Sequence, residues 1–376
     1  MNKVPFVAYK LQYQNLKNEI DKAMQNVLER GDLILRQDVE DFEKNLADFV
    51  GAKYAVALNS GTDALFLSLL ALEIGKGDEV ITVSHTFVAS ISAIVQVGAN
   101  PVLIDVGEDY VMDVEELEKA ITTKTKAIIP VYLNGRMCEM DKVMEIAQKN
   151  NLIIIEDAAQ ALGASFNNKK AGSIGLTGCF SFYPAKILGC FGDGGAITTN
   201  DEKIAEKIRL LRDHGQKTLR ESSGRAKTEI LCFGWNSRLD NLQAAVLNVK
   251  LRYLPQWIEK RRQIAKDYGE SLKDIKEIKL PPVPEENQKY FDVFQNYVIR
   301  AEKRDELFNF LKEQGVETLI KDPIPNHWQK GLLLSQFNLP VSEKLCKEVL
   351  SLPMYPELTD QQINYVIEKV KEFYNQ

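Results

Sequence analysis

One lysine stands where a solvent-exposed lysine would be unusual. Lys186 lies in SFYPAKILGCFGDGGAITTN, residues 181–200, between a serine-aromatic-proline turn and a glycine-rich run that leads into a strand. A lysine amine attacks carbonyls, as in Schiff-base enzymes, when burial and nearby positive charge depress its pKa. The alternative is a surface lysine whose stem covers apolar surface while its charge stays in water. This segment alone leaves both interpretations open.

A carboxylate follows a strand that is predicted to be fully buried. In LIIIEDAAQALGA the apolar run 152–155 precedes Glu156 and Asp157. Such a run fits a strand buried on both faces, so Asp157 would emerge at the carboxyl end of a parallel strand, where open α/β sheets bind ligands. An acid there can hold a protonated heteroaromatic nitrogen. Asp157 could equally cap the helix that follows.

A third motif joins a strand to an apolar helix through Ser60, Gly61 and Thr62, in ALNSGTDALFLSLL. Backbone amides at a helix N-terminus, with hydroxyl groups and a glycine that allows close approach, can cradle a phosphate. The motif is neither a Walker loop nor GxGxxG, and the same letters also make an ordinary cap. A phosphate cradle, a carboxylate and a Schiff-base lysine are together the groups that pyridoxal phosphate requires.

The elements that would position these residues alternate between strands and helices. Short β-branched runs separated by longer amphipathic stretches indicate βαβ units with a mainly parallel sheet. The predicted strands are Tyr54–Leu58, Glu79–Val83, Pro101–Asp105, Ala127–Val131, Leu152–Glu156, Cys179–Phe182 and Gly195–Thr199. The helices predicted between them are Thr62–Leu72, Val88–Val97, Val114–Ile121 with Asp113 as its cap, and Asp141–Asn150.

The pattern changes in the last third of the chain. The charged, periodic stretch from Arg238 to about Leu272 predicts a helix bent at Pro255, and the prolines of IKLPPVPEENQKY predict a loop after it. The elements predicted beyond that loop are a strand at Val293–Arg300 and helices at Lys303–Gln314, Val341–Leu350 and Thr359–Phe373, the last with a capping box. Because the chain exceeds one ordinary core, we predict a large α/β domain over 1–250 and a smaller α+β domain over 251–376.

Composition and charge exclude several classes of function. The 376 residues are 45% hydrophobic and 27% charged, which is typical of globular proteins and not of disordered or membrane-embedded ones. With 47 basic and 53 acidic residues and no block of like charge, neither a nucleic acid nor a membrane is expected as a partner. Five scattered cysteines and three histidines form no disulfide framework and no metal-ligand pattern. Without an apolar leader segment, we expect a cytoplasmic protein.

The order of the motifs resembles a known family. NSGTDAL, EDAAQALGA, SFYPAKILGCFGDGGAI and GWNSRLDNLQAA follow one another as in the DegT/DnrJ/EryC1/StrS family of sugar aminotransferases, and the resemblance covers essentially the full chain. It implies the aspartate-aminotransferase fold, known as fold type I. It also implies pyridoxal 5′-phosphate as cofactor, with pyridoxamine 5′-phosphate in the aminated half-reaction.

The resemblance assigns the groups around the cofactor ring. Lys186 matches the lysine that forms the Schiff base, and Asp157 matches the partner of the pyridine nitrogen. Gln160 matches the residue that hydrogen-bonds the phenolic oxygen of the cofactor. Phe87, in SHTFVAS, matches an aromatic ring that covers the pyridine face, although core packing is its alternative role.

The resemblance also assigns the residues that bind the cofactor's phosphate. Gly61, Thr62 and Ser181 match the phosphate-binding set of the family. Asn236, in GWNSRLD, matches an asparagine that reaches the phosphate of the neighbouring subunit, and an ordinary turn residue is the alternative. The match of Asn236 implies a homodimer with shared active sites.

The sequence departs from the family pattern on the substrate side. Leu162 stands where the family often has histidine, and KDPIP, beginning at Lys321, stands where relatives commonly have HYPIP. Those positions often face the sugar nucleotide, so Lys321 is a substrate candidate. His327 keeps its usual place, and Arg238 could grip two phosphate oxygens of the nucleotide. Arg238 and His327 could equally be salt-bridge or capping residues.

The resemblance implies transfer of an amino group from L-glutamate to a nucleotide-linked ketosugar, with release of 2-oxoglutarate. The opening VPFVAYKLQYQNLKNEI resembles members that act at C3, so we expect a dTDP-3-oxo-6-deoxyhexose to become a dTDP-3-amino-3,6-dideoxyhexose. Amination at C4 or of a UDP-linked sugar stays open. The presence of Lys186 argues against the dehydratase variant, which has histidine there. Two further hypotheses are a non-catalytic regulatory protein that binds the cofactor and a nucleotide-binding domain without it.

Overall fold

Strands and helices alternate along the first half of the chain. The structure is a computed structural model that describes residues 3–220, 226–284 and 289–375. Its helices are α1 (Tyr9–Arg30), α2 (Gln37–Val50), α3 (Gly61–Ala71), α4 (Ala89–Gln96), α5 (Val114–Lys119), α6 (Met140–Lys149), α7 (Glu202–Leu211), α8 (Asn241–Leu251), α9 (Leu254–Leu272), α10 (Arg304–Glu313), α11 (Pro340–Glu348) and α12 (Asp360–Tyr374). Its strands are β1 (Tyr54–Leu58), β2 (Glu79–Val83), β3 (Asn100–Ile104), β4 (Thr125–Ile128), β5 (Ile153–Asp157), β6 (Ser165–Phe166), β7 (Lys169–Lys170), β8 (Thr177–Ser181), β9 (Gly195–Thr199), β10 (Gln216–Arg220), β11 (Ala226–Ile230), β12 (Ile278–Lys279), β13 (Tyr290–Phe291), β14 (Tyr297–Ala301) and β15 (Val349–Leu352).

The central sheet has seven strands in the order β1-β9-β8-β5-β4-β2-β3. The pairs from β8 to β3 are parallel, whereas β9 runs antiparallel to both β8 and β1. All strands except β9 therefore point the same way, and their carboxyl ends meet at one edge of the sheet. This is the mixed, mainly parallel α/β sheet that the sequence predicts.

Helices cover both faces of this sheet because its strands are apolar on both faces. Successive side chains of a strand point to opposite faces. In β5, Ile154 therefore joins a core that includes Phe42 of α2, while Ile155 joins a core that includes Leu67 of α3. The strand is thus buried from Ile154 to Asp157, as expected of a parallel strand, while Ile153 at its start is half-buried.

A second hydrophobic core lies around a smaller sheet of three strands, β12-β14-β15. Side chains of α9, α10 and α12 pack in it, and so does Val4 near the start of the chain. The backbone of Val4 also pairs with that of Val316. The predicted boundary at residue 250 stays a prediction, but Val4 and Ala8 pack in this second core.

The stretch predicted as one bent helix is two helices. The first, α8, ends at Leu251, and α9 begins at Leu254 with Pro255 in its first turn. Proline is favoured there because the first N–H groups of a helix have no intrahelical acceptor, so none is lost. The start predicted at Arg238 is also wrong by three residues, since α8 starts at Asn241.

Two further elements differ from the predictions. The helix predicted to run to Leu350 ends at Glu348, because the next residues form β15 and pair with β14 in the small sheet. The strand predicted from Val293 begins at Tyr297, since Phe294 has a left-handed φ of 49° that interrupts an extended chain. No sequence pattern predicted α1, α2, α7 or the β10–β11 hairpin.

Two predicted helix caps are present. Asp113 accepts a hydrogen bond from the backbone of Glu115, and Thr359 forms a capping box with Gln362.

Across the described ranges of the chain, none of the helices combines the length and apolar character that crossing a membrane requires.

Candidate active site

The carboxyl ends of neighbouring strands bring the predicted residues to one edge of the central sheet. The chain leaves β1 and enters α3 at Ser60, Asp157 is the last residue of β5, and Ser181 is the last residue of β8. Open parallel sheets bind ligands at this edge because the loops there diverge from one another. A cavity of about 580 Å³ lies among these residues.

Most of the predicted site residues line this one cavity. They are Gly61, Thr62, Phe87, Asp157, Gln160, Ser181, Lys186 and Lys321. Asn236, Arg238 and His327 are not among the residues that line it. The roles assigned to all of these residues remain predictions, but the structure brings the first group together from distant parts of the chain.

Lys186 lies in a turn that is held by the side chain of Gln295, which comes from a distant part of the chain. Its backbone N–H donates to the carbonyl of Tyr183 at 2.8 Å. The side-chain amide of Gln295 accepts from Ile187 N–H at 2.6 Å and donates to the Ala185 carbonyl at 2.7 Å, so it bonds the residues on both sides of Lys186. The backbone on both sides of Lys186 is therefore fixed, and the lysine itself lines the cavity.

The electrostatic surroundings of Lys186 favour the neutral amine. Burial, and then the positive charge of Lys321, lower the pKa of Lys186 to about 8, against the opposing charges of Asp157 and Asp322. At pH 7 about a tenth of such a lysine is the nucleophilic neutral amine, far more than for a lysine with an ordinary pKa. The alternative of a surface lysine with a solvated charge does not fit this position.

Asp157 is buried and oriented by hydrogen bonds. Its Oδ2 accepts from the hydroxyl of Ser90 at 2.7 Å, and its Oδ1 accepts from the backbone N–H of Ala159 at 3.2 Å. The bond to Ala159 is the capping contact expected of an aspartate before a helix or turn, and the bond to Ser90 comes from α4. Burial is the larger effect and raises the pKa of Asp157 despite these bonds and the positive charges of Lys186 and Lys321.

The adjacent acid, Glu156, points to the opposite face of β5 and serves a different purpose. Its side chain is 0% exposed. It accepts hydrogen bonds from the Tyr132 hydroxyl and from the backbone N–H groups of Gly172, Ile174 and Gly175, at 2.6 to 2.9 Å. Of the acidic pair, only Asp157 therefore reaches the cavity, while Glu156 fixes a buried loop.

Gln160 presents a donor to the cavity. Its Oε1 accepts from the backbone N–H of Asn134 at 3.0 Å and from the Asn296 side chain at 3.3 Å. Because a backbone N–H can only donate, the atom facing Asn134 must be the amide oxygen. The NH₂ group of Gln160 is then the end available to an acceptor in the cavity, as the predicted bond to a phenolic oxygen requires.

The start of α3 has the geometry of an anion cradle. Ser60 caps the helix by accepting from Asp63 N–H at 3.0 Å, and the N–H groups of Gly61 and Thr62 precede any intrahelical acceptor. A Cβ at Gly61 would lie 2.7 Å from Cβ of Ser181. Glycine is needed there because β8 passes so close to the helix. The close approach places Ser181 beside the start of α3, and both line the cavity.

Phe87 follows β2 and lines the cavity with a ring that is 56% exposed. Core packing, the alternative considered for this residue, would bury it. Its carbonyl accepts from the Ser90 N–H at 3.2 Å, which ties its backbone to the residue that orients Asp157. An exposed ring at the cavity wall is available to stack on a flat ligand.

The remaining predicted residues lie outside the cavity lining. Arg238 forms an ion pair with Asp213 at 3.0 Å. His327 is buried, and its ring bonds the Ser84 hydroxyl at 2.8 Å and Glu343 at 3.2 Å. These contacts match the salt-bridge and structural alternatives left open for both residues, and substrate contacts for them stay predictions.

Several cavity residues were not predicted. Gln295 and Asn296 come from the chain just before β14, Arg261 from α9, and Phe6 and Val7 from the first residues. The polar pair QN inside the apolar segment DVFQNYVI is the only local signal for the first two. The others carry no sequence signal because their contacts are made across distant parts of the chain.

Comparison with known proteins identifies the family. The profile of the DegT/DnrJ/EryC1/StrS aminotransferase family matches residues 14–371. A "Pleiotropic regulatory protein" of Geobacillus stearothermophilus is 43% identical over 99% of this chain and 98% of the relative. A dTDP-3-amino-3,6-dideoxy-alpha-D-galactopyranose transaminase of Aneurinibacillus thermoaerophilus is 43% identical over 98% of this chain and 99% of the relative. A UDP-N-acetyl-3-dehydro-alpha-D-glucosamine 3-aminotransferase of Acidithiobacillus ferrooxidans is 41% identical over 96% of this chain and 95% of the relative.

Solved structures have the same fold. S. venezuelae DesV, in complex with a ketimine intermediate, superposes with a TM-score of 0.93 at 39% identity and covers 100% of both chains. NtdA from Bacillus subtilis with bound cofactor PMP gives 0.90 at 31% identity over 100% of this chain and 86% of that one. The predicted fold class and enzyme class are confirmed. The protein is a member of the DegT/DnrJ/EryC1/StrS aminotransferase family.

Proposed function

We propose that this aminotransferase moves an amino group from L-glutamate to C3 of a dTDP-linked 3-oxo-6-deoxyhexose. The products are a dTDP-3-amino-3,6-dideoxyhexose and 2-oxoglutarate. The observation that carries the catalytic part of the proposal is the meeting of Lys186, Asp157 and the start of α3 in one cavity. Transfer of an amino group to a nucleotide-linked sugar is the activity of the family and of the named transaminases.

Pyridoxal 5′-phosphate is the cofactor, and the cavity residues fit it. The free N–H groups at the start of α3 suit its phosphate, and the NH₂ group of Gln160 suits its phenolic oxygen. Asp157 is a buried carboxylate with no ion pair among the described residues, so a protonated ring nitrogen would supply the cation that it lacks. Lys186 would hold the cofactor covalently. When bound, the cofactor supplies an electron sink for the carbon that carries the amino group.

The chain's own groups supply proton transfer and orientation. With its pKa near 8, Lys186 can accept a proton at Nζ and return it at neutral pH. The Ser90 hydroxyl fixes the Asp157 carboxylate, and the bonds of Gln295 fix the backbone on both sides of Lys186. Both reacting groups are therefore positioned before substrate arrives, which lowers the cost of reaching the reactive geometry.

The choice of sugar rests on the relatives. The transaminase of A. thermoaerophilus is named for a 3-amino-3,6-dideoxy sugar linked to dTDP, and the enzyme of A. ferrooxidans is named for a 3-dehydro sugar linked to UDP. Position 3 is common to both names, which supports C3 over C4. The nucleotide differs between them, so a UDP-linked sugar is the second candidate. A regulatory role is the third, because the relative of G. stearothermophilus carries that name.

A homodimer with shared sites is part of the proposal. Phe233 is 96% exposed, and Ile230, Leu231 and Trp235 are exposed beside it. Contiguous exposed apolar residues of this kind favour burial against another protein surface. Asn236 follows directly and is exposed rather than directed to its own cavity, which is what a residue that reaches the neighbouring subunit's cofactor requires.

Single-turnover spectroscopy tests the function. L-Glutamate is expected to bleach the cofactor absorption band of the purified protein, and one member of a panel of dTDP- and UDP-linked 3- and 4-ketosugars is expected to restore it. The matched control is Lys186→Ala, which should lack the band. A regulatory protein would show the band but no return of it with any ketosugar. The absence of a band from the wild type would overturn the assignment of Lys186 and the cofactor.

A further inference from the structure

One cation that lines the cavity makes no direct ion pair within the part of the chain that the structure describes. There, Nζ of Lys321 makes neither a hydrogen bond nor an ion pair with protein atoms, although the residue is half-buried and lines the cavity. Burial lowers the pKa of Lys321, although the charges of Asp322 and Asp157 oppose this. Buried charges are costly unless they are paired. A lysine in this state is suited to a ligand that brings the missing negative charge.

The other basic residues of the cavity are committed elsewhere. Lys186 and Asp157 are the proposed partners of the cofactor. NH1 of Arg261 donates to the carbonyls of Phe294, Gln295 and Met354 at 2.9 to 3.2 Å, so this guanidinium is bound to the protein's own backbone. Of the lysines and arginines that line the cavity, Lys321 is therefore the one left for a substrate.

The backbone around Lys321 is fixed from both directions. Before it, Leu319 exchanges two backbone hydrogen bonds with Ser351, at 2.9 and 3.1 Å. After it, the side-chain amide of Asn326 donates to the carbonyls of Ser84 and Thr86 at 2.9 and 2.7 Å. A surface lysine needs no such support. These bonds fix the segment that carries Lys321, so its side chain starts from a defined place in the cavity wall, and such preorganisation favours specific binding.

We propose that Lys321 binds a substrate carboxylate. The inference rests on the proposed function, because it assumes that an amino donor and a sugar nucleotide enter this cavity in turn. An ammonium and a carboxylate form a charge-assisted hydrogen bond that is strong when water is excluded. The carboxylate comes from the amino acid that donates nitrogen or, if the second, UDP-linked candidate is the acceptor, from an acidic sugar such as a uronate. The two half-reactions separate these sources.

The test compares Lys321→Met with Lys321→Arg and with Lys330→Met, an exposed lysine of the same segment. In the donor arm, the rate of bleaching of the cofactor band is measured against L-glutamate concentration. In the acceptor arm, calorimetry compares the binding of UDP-glucuronate with that of UDP-glucose, which differ at the carboxylate. Loss of one ion-assisted hydrogen bond should weaken the affected ligand by about 10- to 100-fold in Lys321→Met. Lys321→Arg keeps the charge and should lose less, and Lys330→Met should match the wild type.

Each outcome has a defined meaning. A rise in the glutamate concentration for half-maximal rate, with the maximal rate little changed, identifies the donor as the source. If the wild type prefers UDP-glucuronate over UDP-glucose and Lys321→Met loses that preference, the sugar acceptor is identified as the source of the carboxylate. If Lys321→Met alters neither arm by more than threefold, the proposal is wrong. If the wild-type band does not respond to any amino donor, the proposed function has failed instead, and the two failures are therefore distinct.

Thermal unfolding of the cofactor-free protein guards against a structural explanation. Because Lys321 makes neither a hydrogen bond nor an ion pair with the residues that the structure describes, Lys321→Met should unfold at the same temperature as the wild type or higher. A clear fall in that temperature would show that the lysine stabilises the fold, and would count against a role in substrate binding.

Discussion

The two sides of the cavity are built differently. The cofactor side consists mainly of short motifs at the ends of adjacent strands, although Gln295, from a distant segment, bonds the turn that carries Lys186. The substrate side, from Leu319 to His327, is held by distant residues such as Ser351 and Ser84. The comparison teaches that cofactor chemistry can be encoded locally, whereas substrate contacts depend on how remote segments meet.

The largest expected effect comes from the cofactor side. Lys186→Ala removes the group that would hold the cofactor and move the proton, so turnover should fall by at least about 10³-fold. The assay is amino transfer from L-glutamate together with the absorption spectrum. Lys203→Ala, at an exposed position of α7, is the control and should keep full activity. Retention of both band and turnover by Lys186→Ala would mean that the cofactor side was wrongly located.

Gly61→Ala should affect the phosphate cradle next most strongly. The added Cβ would meet Cβ of Ser181 at 2.7 Å, and forcing apart α3 and β8 should cost about 1–3 kcal/mol. We expect weaker cofactor binding, measured by titrating the apoprotein with pyridoxal 5′-phosphate. Gly331→Ala is the matched control, because no atom lies within 4 Å of its added Cβ. Equal affinities in the two variants would contradict the close packing of the cradle.

Ser90→Ala tests whether one neighbouring hydroxyl is enough to orient Asp157. Losing a hydrogen bond to a charged group should cost about 1.5–3 kcal/mol and weaken cofactor binding to match. The control is Ser92→Ala on the same helix, since that hydroxyl bonds only backbone carbonyls of α4 and its N-terminal cap. A spectrum and an affinity like those of the wild type would show that Asp157 is held by its backbone position alone.

The smallest effect links the two sides of the cavity. Lys321 lowers the pKa of Lys186 because a neighbouring positive charge disfavours the protonated ammonium. Lys321→Met should therefore raise the pKa of Lys186 above about 8, leaving less free amine at neutral pH. The pH dependence of the rate at which the apoprotein takes up pyridoxal 5′-phosphate reports this pKa. An unchanged profile would show that the two lysines do not interact. A shift of the profile to lower pH would contradict the expected direction of the effect.

Sequence patterns predicted which residues lie at the strand ends beside the cavity, and the reason is physical. A strand that is apolar on both faces leaves little freedom for the residue at its carboxyl end, and this placed Asp157 correctly. The strict alternation of a strand also sends Glu156 to the other face, so only one of two adjacent acids enters the cavity. Glycine before a helix was likewise informative, since the contact of Gly61 with Ser181 excludes any larger side chain.

The long-range contacts on either side of the cavity could not be predicted in the same way. Gln295 lies more than a hundred residues from Lys186, and nothing in its own segment shows that it bonds the backbone there. Arg238 looked like a phosphate ligand from its motif, but its ion pair with Asp213 depends on where the chain returns. Long-range contacts of this kind follow from tertiary packing rather than from local propensity.

The side-chain amide of Asn326 affects how the substrate specificity of the enzyme could be changed. By bonding the carbonyls of Ser84 and Thr86, it joins the segment that carries Lys321 to the loop that carries Phe87. A graft of residues 319–328 from a relative would therefore displace an aromatic wall of the cavity unless residues 84–87 were transplanted with it. To transfer a relative's substrate specificity to this protein, both segments should be exchanged together. The effects of exchanging either segment alone should not add up to the effect of exchanging both.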